Sequence, residues 1–317
     1  MRTIRTLLAS AFILTAIVSC DNKEPDNLIP GEPVDQIELN AAFNTVSLEG
    51  LWGADWEAKL QYDWDETDST YGTLGYSEPE LIKATIYHID SKTGNRFGHF
   101  FKVFGLKDST NSFYSAVKYD MLFYNFGTDS IFFNQSEDYK TYTAQSNNLG
   151  RTDELQGAFL KGVEFAPYQS SKLEVDLEPF TYIYLLQIII KNNQDNRITG
   201  ADALTLTGLA KGADLFNRTT LTDTVSITTR DIKPLQNHRE VSLEDGTTVQ
   251  QAGILAARIL TWGLPANATA TDRNDLIITL TLQNGQTKTL TRDITTQLQQ
   301  NSKGGVITIC LDAEDLL

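Results

Sequence analysis

The chain has 317 residues, 41% of them hydrophobic, and its 41 acidic against 26 basic side chains give a net charge of −15. Phosphate recognition needs clustered Lys and Arg, which the sequence lacks, so nucleic acid is excluded as a partner. The chain opens with Arg2 and Arg5, runs apolar from Leu7 through Val18 and then reaches Ser19 and Cys20, the positive, apolar, small-residue order of a cleavable secretory signal. That run is shorter than the roughly 20 residues of a spanning helix, and no later stretch reaches such a length without charges, so no transmembrane helix is expected in the mature chain.

The four residues Ile17-Val18-Ser19-Cys20 resemble the lipobox of bacterial lipoproteins. The resemblance implies a signal peptide over 1–19 and a diacylglycerol on the Cys20 sulfur. Each buried methylene contributes about 0.8 kcal/mol, so several acyl chains on one residue hold a protein stably at a membrane it does not cross. The following Asp21-Asn22-Lys23-Glu24-Pro25-Asp26 is similar to the acidic export signal that Bacteroidota place after the lipidated cysteine, which implies the outer membrane, facing the cell surface. Residues 20–43 read as a flexible tether, too poor in apolar side chains to order themselves. With Cys20 consumed by lipid, Cys310 has no partner for an intrachain disulfide, and its apolar run over 306–311 predicts a core position.

From about Asn44 the composition is that of a β protein, with short runs of Ile, Val, Thr, Tyr and Phe between Gly, Asn and Asp clusters. A helix is expected over 47–60, weakened by Gly50 and Gly53. Strands are predicted at 60–64, 82–89, 97–104, 119–125 and 130–134, with period-two alternation clearest in Ala84-Thr85-Ile86-Tyr87-His88-Ile89. Residues 145–171 lose the alternation and suggest a boundary between a domain at 44–165 and a second at 166–317. Further strands are predicted at 172–177, 182–191, 203–209, 224–228, 253–262, 275–282 and 306–311. The middle of the second, Ile188-Ile189-Ile190, predicts burial on both faces. Asn284-Gly285 between alternating runs marks a tight hairpin, and Asp293 is placed to cap a short helix. Many short strands and few helices indicate an all-β chain of two β-sandwich domains.

The chemistry-bearing motifs are few. His88, His99 and His238 are the three histidines, and none sits in a zinc, hydrolase or phosphate-loop pattern. Asp63, Asp65, Glu66 and Asp68 lack the glycine and closing glutamate of an EF-hand and read as a solvated loop. No catalytic residue, metal site or cofactor is expected, and the chain is read as a non-enzyme. Trp52, Trp56 and Trp64, with Tyr62, Tyr71 and Tyr76, form an aromatic-rich segment for which core packing is the simpler role. The three tryptophans are also the candidate ligand residues, through stacking on sugar rings.

Several runs carry a family resemblance. Tyr119-Asp120-Met121-Leu122-Phe123-Tyr124-Asn125-Phe126-Gly127-Thr128 resembles the first-domain motif of Bacteroides-type lipoproteins related to fimbrium anchor subunits, within the fimbrillin superfamily. Leu206-Thr207-Gly208-Leu209-Ala210 and Thr261-Trp262-Gly263-Leu264-Pro265 resemble that group's central strand and aromatic-Gly turn. Asp293-Ile294-Thr295-Thr296-Gln297-Leu298 and Gly304-Gly305-Val306-Ile307-Thr308-Ile309 resemble its closing helix and last strand. The resemblance implies two tandem transthyretin-like, Greek-key sandwiches and a surface protein that anchors or assembles fimbriae or acts in adhesion, with fimbrial subunits as partners. The alternative is a surface glycan-binding lipoprotein of a nutrient-uptake system. Stalk subunits of the family are cut after an arginine near the N-terminus to open a groove for a neighbour's strand. Here no arginine lies between Cys20 and Arg96, and only 312–317 follow the last predicted strand, so an anchor is expected rather than a strand-donating stalk subunit.

Overall fold

The computed structural model describes residues 36–107, 109–115, 117–125, 127–147, 152–167, 169–243, 245–269 and 271–316. Cys20, the signal and residues 20–35 of the expected tether lie outside them. The strands of the first half are β1 (Gln36–Asn44), β2 (Leu81–Ile89), β3 (Arg96–Gly105), β4 (Ser109–Tyr114), β5 (Lys118–Asn125), β6 (Ile131–Gln135), β7 (Tyr142–Ser146), β8 (Gln156–Glu164) and β9 (Ser171–Asp176). Those of the second half are β10 (Glu178–Pro179), β11 (Tyr182–Lys191), β12 (Ile198–Ala210), β13 (Gly212–Asp214), β14 (Thr219–Thr220), β15 (Thr224–Thr229), β16 (Gln236–Ser242), β17 (Thr248–Thr261), β18 (Asp275–Leu282), β19 (Thr287–Asp293) and β20 (Gly305–Asp312). Short helices are α1 (Leu48–Trp52), α2 (Trp56–Lys59) and α3 (Thr295–Gln300).

Two sandwiches result, and the chain is all-β as its composition predicts. In the first, the sheet β4-β1-β9 faces the sheet β10-β8-β5-β2-β3. Alternate residues Ile37, Leu39, Ala41 and Phe43 of β1 meet Ile82, Ala84 and Ile86 of β2 and Met121 and Phe123 of β5 in one core. In the second, β16-β17-β11-β20 faces β15-β12-β18-β19, and Leu186, Ile188 and Ile190 of β11 pack against Leu204 and Leu206 of β12 and Ile278 of β18.

Six expectations need correction. Residues 36–43 are not tether, because Ile37, Leu39, Ala41 and Phe43 alternate inward and β1 pairs on both sides, with β4 and with β9. Residues 156–164 form β8, a strand that small Gly157 and Ala158 conceal; a Cβ on Gly157 would collide with the Phe123 carbonyl oxygen. The predicted strand over 172–177 forms, yet it pairs in parallel with β1, and Val175 and Leu177 join the first core, so the first sandwich runs past residue 165. Residues 60–64 are not a strand, and the helix expected over 47–60 breaks into α1 and α2 where Gly53 takes φ 86°. Cys310 is exposed, because the inward alternation of Ile307, Ile309 and Leu311 turns it out of the sandwich, where partial desolvation raises its thiol pKa. The hairpin at Asn284-Gly285 forms, with Gly285 at φ 78° and β18 paired to β19. Asp293 accepts from the N–H and hydroxyl of Thr295 at 3.0 and 2.7 Å, one step ahead of the helix proper, whose N-cap is Ile294.

The two halves are joined through a fifth sheet, β14-β13-β7-β6, built from strands of both. β13 pairs antiparallel with β7, and a Cβ on Gly212 would collide with the Ala144 carbonyl oxygen, so only glycine permits this approach. Tyr87, Leu122, Tyr142, Leu155, Leu215, Phe216 and Trp262 form a core at this junction.

Candidate functional site

The aromatic-rich segment that holds the candidate ligand residues lies between β1 and β2 and crosses to the other half of the molecule. The outward face of the sheet containing β11 and β17 is largely apolar, and this segment covers it. Tyr62, with Leu60, Trp64 and Tyr71, packs on Ile189, Val249, Ile254 and Ala256. Leu48 and Trp56, with Trp52, Leu74 and Tyr76, pack on Ile183 and Leu185. The expected two-sided burial of β11 therefore has its source in a strap over residues 45–80.

Polar side chains of the second sandwich hold the strap's backbone. Gln187, fully buried in the middle of β11, accepts from the Gln61 N–H at 2.8 Å and donates to the Lys59 carbonyl and to Thr308, each at 2.7 Å. Gln236 brackets Asp63 in the same way, accepting from its N–H and donating to its carbonyl. Arg258 donates to the carbonyls of Leu74 and Gly75 and pairs with Glu154, whose second oxygen accepts from the Ser77 N–H at 2.7 Å. Sequence reasoning missed these residues; the one available signal was Gln187, a lone amide in an otherwise apolar strand, which burial requires to be hydrogen-bonded.

The three tryptophans are split between two packing clusters. Trp52 and Trp56 meet edge to face at 5.4 Å, 81° apart, and Trp56 is buried. Trp64 sits apart, against Tyr62 and Tyr71 at 6.0 and 6.2 Å, with its N–H donated to the Gly72 carbonyl and the Lys233 ammonium 5.4 Å from its ring. They form no common platform. Trp52 and the more buried Trp56 both line a cleft of about 270 Å³, shared with Lys59, Asn301 and Lys303, and Trp52 donates its N–H to the Lys303 carbonyl. A neighbouring cleft of about 400 Å³ lies between α1, Asp176, Pro179 and Tyr182.

The remaining chemistry-bearing residues have structural roles. Asp65 accepts from the N–H and hydroxyl of Thr67, which lowers its pKa, Asp68 accepts from the Thr70 N–H, and Glu66 accepts from the Leu74 N–H. The acidic cluster is thus spent on turns within the strap, and no metal-holding group of His, Cys, Asp and Glu occurs among the described residues. His88 stacks on Phe97 at 5.6 Å and lies 5.4 Å from Tyr119, and burial lowers its pKa. His99 lies against Tyr139 and Phe101 and is lowered for the same reason. No helix among the described residues is long and apolar enough to cross a membrane.

No family model matches the chain, and no curated protein matches it in sequence. Among solved structures it is similar to a candidate adhesin from Bacteroides ovatus, with 13% identity over 88% of this chain and 93% of that one and a TM-score of 0.48. It is also similar to candidate polysaccharide-binding proteins from Bacteroides thetaiotaomicron, with 9% identity over 89% and 93% and a TM-score of 0.46. The fimbrial anchor protein Mfa2 from Porphyromonas gingivalis is similar at 11% identity over 88% and 91%, with a TM-score of 0.42.

Proposed function

We propose that the chain is a non-enzymatic cell-surface lipoprotein of the fimbrillin type, fixed in the outer membrane through Cys20, that anchors or helps assemble a fimbrium or acts in adhesion. The observation that carries the reading is where the quoted motifs fall. Residues 119–125 form β5, between β8 and β2 in the first sandwich. Leu206-Thr207-Gly208-Leu209 lies on β12 at the bulge where Gly208 takes φ 72°. Trp262 is fully buried at the junction and donates to Ser146 at 2.7 Å. The last two motifs form α3 and β20. Runs scattered along the chain thus fall on both cores and on the seam between them, as a shared scaffold requires.

The anchor role has a further support. The first arginine after Cys20 is Arg96, and it belongs to the folded body: its guanidinium pairs with Asp120 at 2.7 Å and lies 3.9 Å from the Phe216 ring. A protease cannot release the N-terminus there without opening the junction. Labelling of cells with an alkyne fatty acid is expected to mark the chain, and cross-linking followed by pull-down is expected to recover a polymeric pilin. A lipidated chain recovered repeatedly without any pilin contradicts the fimbrial role.

The glycan-binding alternative retains one favourable observation, the Trp52 edge of the smaller cleft. Glycan-array binding lost in a Trp52→Ala variant that still folds would favour it.

A further inference from the structure

The outward face of the first sandwich is covered unevenly. On that face the five-stranded sheet presents two rows in register: Tyr124, Lys83 and Val103, then Leu122, Thr85 and Phe101. The bridging sheet follows it strand by strand. Phe216, just past β13, packs on Phe159 of β8 at 4.8 Å; Tyr142 of β7 packs on Tyr124 of β5 at 6.1 Å. Phe133 of β6 stacks on the same Tyr124 at 5.0 Å, and Gln135 of β6 accepts from the Tyr87 hydroxyl of β2. The bridging sheet ends at β6. Beyond it three outward side chains of β2 and β3 are bare, with Leu81, Phe101 and Val103 exposed by 43%, 50% and 47%, while Thr85 beside them is buried.

The edge above this shelf is open as well. The Asn147 N–H donates to the Ser130 carbonyl and the Ser136 N–H to the Thr141 carbonyl. The alternation of an antiparallel ladder then turns Phe132 and Asn134 toward β7 and leaves the N–H and C=O groups of Ile131, Phe133 and Gln135 facing outward. Strands in a sheet lie about 4.8 Å apart, so one strand added to β6 would lie over the exposed ends of these rows, at Phe101 and Val103.

Charge indicates what that strand carries. The half-buried Lys83 ammonium lies 4.3 Å from the centre of the Phe101 ring and makes no ion pair among the described residues. A partly desolvated cation without a counter-ion favours a carboxylate from whatever covers it. A second copy would bring the same lysine and a further net charge of −15, which disfavours self-pairing.

We propose that the open edge of β6 and the shelf of Leu81, Lys83, Phe101 and Val103 accept an extended segment of a partner protein, with alternating apolar side chains facing the shelf and a carboxylate reaching Lys83. Nothing has to be cut away to expose this edge. The coverage of the sheet supports the site independently of any fimbrial role.

Panning random peptides of about twelve residues, ample for an edge of this length, on the whole chain tests the proposal. Enriched peptides are expected to alternate apolar residues around an Asp or Glu. They should bind Phe101→Ser and Lys83→Glu proteins about tenfold or more weakly, and a Glu→Lys peptide should recover binding to Lys83→Glu. Hydrogen exchange should slow at Ile131, Phe133 and Gln135 in the complex. Both substitutions alter exposed or half-exposed side chains, and unchanged thermal melting verifies that each variant folds. Failure to enrich any peptide, equal binding to both variants, or protection confined to another edge overturns the proposal. So does a dimer in sedimentation that Phe101→Ser dissolves, since it would assign the shelf to a second copy.

Discussion

Gln187 joins two parts of the chain more than 120 residues apart through one amide, binding Gln61, Lys59 and Thr308. A Gln187→Leu variant keeps the volume but strips the Gln61 N–H of its acceptor, and an unsatisfied buried donor costs about 1–3 kcal/mol. With the second and third bonds lost, stability in urea unfolding is expected to fall by about 2–4 kcal/mol; an unchanged midpoint would mean that the strap is not held at this point. Trp56→Ala, which empties a buried site under the strap, should cost about 3–5 kcal/mol in the same measurement, and Trp52→Ala distinctly less. His88 adds a pH dependence. Its folded pKa lies below the ordinary value of 6.5 because burial disfavours the imidazolium, so below about pH 6.5 the unfolded chain binds more protons than the folded one. Stability should therefore be full above that pH and decline as pH falls toward the folded pKa. A His88→Phe variant, which suits the aromatic cage of Phe97, Phe100 and Tyr119, should show a smaller loss between pH 7.5 and pH 5; an identical loss would assign the dependence to other groups.

At the scale of elements, strands with clean alternation were legible from sequence. The ranges predicted for β11 and β18 match the structure, as does the Asn-Gly hairpin between β18 and β19. What escaped was long-range pairing. β1 looks like the end of an acidic tether until β4 and β9 are known to flank it. β8 is hidden in part by Gly157, where its neighbours leave no room for a Cβ. Cys310 illustrates the limit of residue statistics, since the register of a single strand overrides the usual burial of cysteine. The strap was legible as an aromatic concentration but not as a cover, because nothing local shows that its partner is the outward face of β11 and β17. That face gives a direct prediction. The second half produced alone, from residue 178 onward, would expose Ile183, Leu185, Ile189 and Ile254, a larger apolar patch than a soluble monomer ordinarily shows. It should bind a hydrophobic dye and aggregate, whereas a soluble, two-state monomer would refute the role given to the strap.

At the scale of the whole molecule, strap, bridging sheet and Trp262 tie two sandwiches into one body. Calorimetry should record a single transition, and Trp262→Ala, which vacates the junction core and its bond to Ser146, should lower it or split it in two; two transitions in the parent protein would show that the halves are independent. The arrangement suits an anchor. Tension from a lipid at Cys20 would enter through β1, the middle strand of its sheet, paired along its length with β4 and β9. A pull along a strand loads such ladder bonds together rather than one after another. Replacing Cys20 with serine in cells, and measuring how much of the fimbrial polymer is shed into the medium, tests the anchoring role most directly. Cys20→Ser is expected to abolish lipid labelling and to move the fimbriae from the cells to the medium; fimbriae that remain cell-bound while the protein is unlipidated would contradict an anchoring role.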